Sequence, residues 1–142
     1  MSEIKSLQRM LVVQALYQSS INKSLDDEPI ESIFLQIVES LNMNKLKKKS
    51  NFNFAKTLYN GVKKNSVSID HDISTALGSS HDYGKIEKLL RSIFQVAVYE
   101  LNYGVELPKK VIISEYLKIS DSFYSEKETS LVNGVLDNIK RK

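Results

Sequence analysis

The sequence predicts an all-α protein of six to seven helices. Three observations carry that expectation. Apolar residues recur at three- and four-residue steps in six successive stretches. No stretch shows convincing strand alternation. The two prolines, Pro29 and Pro108, stand where helices open rather than inside them.

The first helix is expected from about Ser2 to Ser19, with Ile4, Leu7, Leu11 and Ala15 on one face. The second begins at Asp26 to Pro29, where acidic residues and a proline suit a helix N-terminus. Its stripe is Ile30, Ile33, Phe34, Ile37, Val38 and Leu41. Asn42-Met43-Asn44 and the lysines that follow read as a loop. A long third helix spans about Asn51 to Leu77, with Phe54, Leu58, Val62, Ile69, Ile73 and Leu77 sharing a face. Gly78 is its expected C-cap, and Gly61 marks a place where a neighbouring helix approaches closely. The fourth helix runs from near Asp82 to Tyr103 and ends at Gly104, with Ile86, Leu89, Leu90, Ile93, Ala97 and Leu101 inward. The fifth opens with Pro108, whose missing N–H costs nothing in a first turn, and carries Ile112, Tyr116, Ile119 and Phe123 inward. The sixth opens with Ser125-Glu126-Lys127-Glu128, the pattern of a capping box. Inside it lies Asn133-Gly134. Glycine within a helix costs about 1 kcal/mol relative to alanine, so the missing Cβ is expected to serve close packing and the asparagine amide to have a fixed partner.

The chain has 142 residues, no cysteine and a formal net charge of +3. That length suits one domain, or two small helical halves. A single domain over 1–142 is expected, with halves of about 1–78 and 82–142. Absent cysteine removes disulfides, thiolate zinc sites and cysteine nucleophiles. No apolar run approaches the roughly 18 residues that cross a bilayer, and Met1-Ser2-Glu3-Ile4-Lys5 lacks a signal-peptide pattern, so a cytoplasmic protein is expected. The stretch 26–39 holds five acids and no base, whereas 45–64 holds seven lysines and no acid. Lysine outnumbers arginine seventeen to three. Lysine lacks the planar fork that reads base edges, so any affinity of the basic block for nucleic acid is expected to be nonspecific and salt-sensitive. A solvated surface is the plainer reading of such a run.

Nothing in the sequence assembles a catalytic constellation. His71 and His81 are the only histidines, and the acids flanking His71 do not converge with it on a helix. There is no Gly-rich phosphate loop and no nucleophile elbow. A non-enzyme without cofactor or metal is expected. Lys5 and Arg9, one turn apart with Gln8 beside them, have the spacing to straddle phosphates, although an ordinary exposed face has the same pattern. Tyr17, Phe123 and Tyr124 have the chemistry to stack on unpaired bases if exposed.

Four motifs follow in order: Val13-Gln14-Ala15-Leu16-Tyr17, Val96-Ala97-Val98-Tyr99-Glu100-Leu101, Leu107-Pro108-Lys109-Lys110-Val111-Ile112-Ile113-Ser114-Glu115, and Val132-Asn133-Gly134-Val135-Leu136-Asp137. Together they resemble the NusB family of bacterial transcription antitermination factors. Leu58-Tyr59-Asn60-Gly61-Val62 adds a weaker match. The resemblance implies two three-helix bundles packed at a steep angle. It also implies an adaptor that binds boxA RNA together with the ribosomal protein NusE, within the antitermination complex of RNA polymerase, in support of read-through of ribosomal RNA operons. Some members are homodimers.

Carried over residue by residue, the resemblance implies RNA contacts at Lys5, Gln8, Arg9 and Phe123; Lys127, near the family's RNA surface at a position where some members have an acid, and Lys118 are expected as compensating charges. The resemblance implies partner contacts at Tyr17, Glu87, Leu90 and Arg91. The chain departs from the family where an arginine-rich cluster usually precedes Gln-Ala-Leu-Tyr: here Lys5-Ser6-Leu7-Gln8-Arg9 keeps two charges. Gln95 replaces a frequent arginine, and Ser114-Glu115 stands for the usual Asn-Glu pair, with Glu115 expected as a buried acid serving structure. The thin basic cluster leaves an alternative open, a protein-only adaptor that keeps NusE docking with weakened RNA binding. Ribosomal RNA cytosine methyltransferases carry a similar helical domain, but no Rossmann-type cofactor segment is present in this sequence.

Overall fold

The computed structural model describes residues 3–48, 51–104 and 107–141, and among them it contains helices and no strand. The order is α1 (Glu3–Ile21), a 3-10 turn (Lys23–Asp27), α2 (Ile30–Ser40), α3 (Asn44–Lys48), α4 (Asn53–Lys64), α5 (Ser66–Leu77), a second 3-10 turn (Tyr83–Lys85), α6 (Lys88–Tyr103), α7 (Lys109–Phe123) and α8 (Glu126–Asn138). The chain divides into two compact units, one running to Asn60 and one beginning at Gly61.

In the first unit α1 packs on α2 and α3, and α2 on α3. Leu11, Val12, Ala15, Ile33, Phe34, Ile37, Val38, Leu46 and Phe52 are buried. Phe34 meets Phe52 at 5.6 Å and Tyr59 edge-on at 6.0 Å, a favoured aromatic geometry. Leu41 departs from the expected α2 stripe: it follows the last helical turn and is exposed. Asn42 takes a left-handed conformation, φ 53°, which asparagine tolerates better than most residues. This lets the chain turn into α3, a short helix in the predicted loop, anchored by buried Leu46.

The expected third helix is two helices. The apolar spacing continues across Asn65, yet Asn65 lies between α4 and α5 with φ −108° and ψ 21°. Both its backbone N–H and its side-chain amide donate to the Gly61 carbonyl, at 3.0 and 2.8 Å. The side chain thus competes with the helical ladder at that point. Gly78 ends α5 with φ 66°, as a C-cap glycine should.

In the second unit α5 packs on α6 and α8, α6 on α7 and α8, and α7 on α8. Ile69, Ile73, Ile93, Phe94, Ala97, Leu101, Ile112, Tyr116, Val132 and Leu136 fill the core. Buried Glu100 accepts a 2.7 Å hydrogen bond from the Tyr116 hydroxyl. Glu115 is buried as expected and receives the Lys118 ammonium at 2.9 Å. The fourth predicted helix starts late, because Asp82 caps the second 3-10 turn and Glu87 caps α6. Phe123 was expected inward but is 37% exposed, since it is the last residue of α7.

The two glycines inside helices behave oppositely. A Cβ at Gly61 would lie 2.1 to 2.5 Å from the Tyr99 ring, so this is the expected close approach. A Cβ at Gly134 would meet nothing within 4 Å, and both Asn133 and Gly134 are exposed. The α8 helix packs through Val132, Val135 and Leu136 instead, so the expected packing role of Gly134 is corrected. The capping box is also modified. Ser125 Oγ donates to Glu128 Oε1 at 2.6 Å rather than accepting from the backbone.

Candidate nucleic-acid interface

Lys5, Gln8 and Arg9 share one turn of α1, but only Lys5 is exposed. Arg9 is 0% exposed and its guanidinium lies over the Phe54 ring at 5.1 Å. Lys5 Nζ lies 5.3 Å from the same ring. An aromatic face attracts both cations electrostatically. Gln8 is 4% exposed and acts as a clip: Nε2 donates to the Asn51 carbonyl at 3.0 Å, and Oε1 accepts from the Ala55 N–H at 2.9 Å. The clip satisfies one of the orphan donors in the first turn of α4. Direct RNA contact by Gln8 and Arg9 is therefore corrected: both side chains are committed to joining α1 to α4. The apolar spacing of α1 did not show this, because the burying partner Phe54 lies far along the chain.

Tyr17, further along α1, is half-buried. In the basic block, Lys45 pairs with Glu3 at 2.6 Å, and Lys56 pairs with Glu31. The sequence-expected loop contribution of Lys49 lies outside the described residues.

In the second unit the candidates gather at the corner between α7 and α8. Exposed Phe123 ends α7 and exposed Lys127 lies in the first turn of α8. Between them Tyr124 donates its hydroxyl to Glu87, which also accepts from the N–H groups of Leu89 and Leu90 at 3.4 Å. Glu87 is thus both the α6 cap and a member of this corner. Lys118 stands exposed on α7 beside Glu115. Leu90 is 5% exposed, so the partner contact expected there is corrected: the side chain faces the core. Arg91 is also diverted. Its Nη2 donates to the carbonyls of Tyr83, Gly84 and Ile86, at 3.1, 3.2 and 3.3 Å, while its guanidinium lies 4.9 Å from the Tyr83 ring. It fixes the second 3-10 turn.

Gln95, at the position where a family arginine was expected, donates to Asp70 at 3.0 Å, and Tyr83 donates to the same carboxylate at 2.7 Å. Burial, helped by the Asp70 carboxylate, holds the Tyr83 hydroxyl far above the usual tyrosine range. Two further cations escaped sequence reasoning. Lys109 donates to the carbonyls of Asp137 and Ile139 at 2.8 and 2.7 Å, closing the end of α8. Arg141 donates to the carbonyls of Leu101 and Leu107 at 2.7 and 2.6 Å. Lys109 sits in the Pro-Lys-Lys-Val motif, which was its only signal.

The family model described as "NusB family" matches residues 6–141. The chain belongs to the NusB family. The transcription antitermination protein NusB of Caulobacter vibrioides is 30% identical over 141 residues, covering 96% of this chain and 92% of that protein. Among solved structures, the NusB of T. maritima superposes with a TM-score of 0.74 at 28% identity, over 98% of this chain and 92% of its own. A structure of the antitermination factors NusB and NusE in complex with dsRNA reaches a TM-score of 0.78 at 22% identity, over 98% and 97% of the two chains. At that identity the likeness speaks for the NusB fold. Among the described residues, no helix is long and apolar enough to cross a membrane, and no cluster of three acidic or histidine side chains has metal-site geometry.

Proposed function

We propose that this NusB-family chain is a non-catalytic cytoplasmic adaptor in transcription antitermination, binding boxA RNA together with a NusE-type ribosomal protein. The observation that carries the reading is family membership across residues 6–141. The assembly of a structural relative with NusE and RNA supports it. Lys5 is assigned to phosphate on the first unit, with Arg9 and Phe54 as its support. Lys118, Phe123 and Lys127 are assigned to RNA on the second, the lysines as phosphate contacts and Phe123 as a stacking face. Tyr17 and Glu87 are assigned to the partner protein. Three lysine contacts to a single strand predict a slope of log affinity against log salt of roughly two. A gel-shift titration of boxA RNA with the NusE-type partner present tests this reading. Salt-sensitive binding supports it, and no binding in the presence of the partner rejects it.

The burial of Arg9 favours one second reading, a protein-only adaptor that docks NusE but holds little RNA. Partner capture without any RNA shift in the same titration would select it.

A further inference from the structure

Of the two cations on α1, Arg9 is buried and only Lys5 is exposed. Both lie against one ring. The Arg9 guanidinium is 5.1 Å from the centroid of Phe54, and the Lys5 ammonium is 5.3 Å from it. The half-buried ring reaches from the interior, where Arg9 lies, to the surface, where Lys5 lies. Gln8 fixes the backbone on both sides of that ring. The Asn51 carbonyl, before Phe54, accepts from Gln8 Nε2, and the Ala55 N–H, directly after it, donates to Gln8 Oε1. Asn51 Oδ1 also accepts from the Asn53 N–H at 2.8 Å, which settles the entry into α4.

Lysine carries its charge on a flexible four-carbon stem. Immobilising such a side chain on a ligand lowers affinity by about two- to tenfold. An aromatic face attracts an ammonium electrostatically, and so holds the stem before any ligand arrives. The ammonium has three N–H donors, so a ring on one side leaves it able to meet a phosphate on the other.

We infer, on the reading above in which Lys5 meets RNA phosphate, that Phe54 is the positioning residue of this contact. Its ring preorders the Lys5 ammonium from α4, and Arg9 steadies the ring without touching RNA. Affinity at this face is then set by the preorganisation of one charge rather than by the number of charges.

The test uses the full chain with the NusE-type partner and boxA RNA over a salt series. Phe54→trifluorophenylalanine keeps the shape of the ring and withdraws electron density from its face, so packing survives while the attraction for cations is weakened. It is expected to lower RNA affinity about threefold with the salt slope unchanged, because Lys5 still reaches the phosphate. Phe54→Tyr keeps the negative face and is expected to keep the affinity. Lys5→Ala is expected to lower the slope by about one unit, and in that background the fluorinated ring has no further effect. In proton NMR of the free, unaltered protein, the ring current of Phe54 is expected to shift the Lys5 ε-methylene upfield. The same loss on fluorination in the Lys5→Ala background marks a merely structural ring and overturns the inference. Unchanged affinity of the fluorinated protein, or an unshifted Lys5 methylene, also overturns it, and does so alone if Lys5→Glu still weakens binding. Absence of RNA binding by the wild type overturns it together with the adaptor reading.

Discussion

The guanidinium of Arg9 lies over the ring of Phe54 at 5.1 Å, and no part of Arg9 is exposed. Residues that look like paired phosphate contacts on α1 thus have different roles. Arg9→Ala is expected to destabilise the protein by about 2–4 kcal/mol, because a long packed side chain and its interactions are lost from the interior. Lys5→Ala is expected to change stability by less than about 0.5 kcal/mol yet to lower the RNA salt slope by about one unit. Urea unfolding and salt-dependent titration of both variants separate the roles. A stable Arg9→Ala protein with a reduced salt slope would restore Arg9 to the RNA surface.

The two helical glycines predict opposite outcomes. At Gly134 an added Cβ meets nothing within 4 Å. Gly134→Ala should therefore gain up to about 1 kcal/mol of helix propensity and raise the melting temperature by about 3 °C. At Gly61 the added Cβ would collide with Tyr99, so Gly61→Ala should lower it despite the same propensity gain. Calorimetric melting of both variants checks the contrast.

This contrast also shows what was legible in the sequence. Local periodicity revealed the stripes of α2 and α6, and capping chemistry revealed Gly78, because those signals lie within a few residues of their effects. The packing partner of a glycine is a tertiary fact. The motif around Gly134 identifies the family without any close contact at that position, whereas the plainer Gly61 has one. The break at Asn65 was hidden because Leu58, Val62, Ile69 and Ile73 keep helical spacing across it. Burial of Gln8 and Arg9 was hidden for a similar reason: Asn51, Phe54 and Ala55, which hold them, are distant in sequence. Exposed Lys5 and Lys127 were legible because helix phase and helix ends decide their exposure, whereas the inward phase of Phe123 misled because that residue ends α7 and is exposed.

Two groups make the pH dependence specific. The Ser125 hydroxyl, aided by backbone N–H groups of Glu128 and Ser125, holds the Glu128 carboxyl below its ordinary value of 4.5. A depressed carboxyl contributes stability above its unfolded pKa and loses it as pH falls through the folded one. Carbon NMR should show Glu128 titrating below the ordinary glutamate value, and Ser125→Ala should return it toward that value. Tyr83 is shifted the other way, so its contribution is complete below pH 10.0 and declines as pH rises toward its folded value. In ultraviolet titration Tyr83 should ionise only with alkaline unfolding, and Tyr83→Phe should remove that late component.

Lys109 offers a stability test where the start of α7 meets the end of α8. Its ammonium closes the carbonyls of Asp137 and Ile139, a charge-assisted cap at the negative end of a helix. Lys109→Met keeps the apolar stem and removes the charge. It should cost about 1–2 kcal/mol and raise amide exchange in the last turn of α8, with little change in RNA affinity. Unchanged exchange there would show that the cap contributes nothing.

The most direct test of the adaptor account is a titration of boxA RNA into the chain with the NusE-type partner, over a salt series, with Lys5→Glu in parallel. The account predicts salt-sensitive binding with a slope of roughly two, weakened by Lys5→Glu. Binding absent at low salt with the partner present, or indifferent to Lys5→Glu, would contradict it.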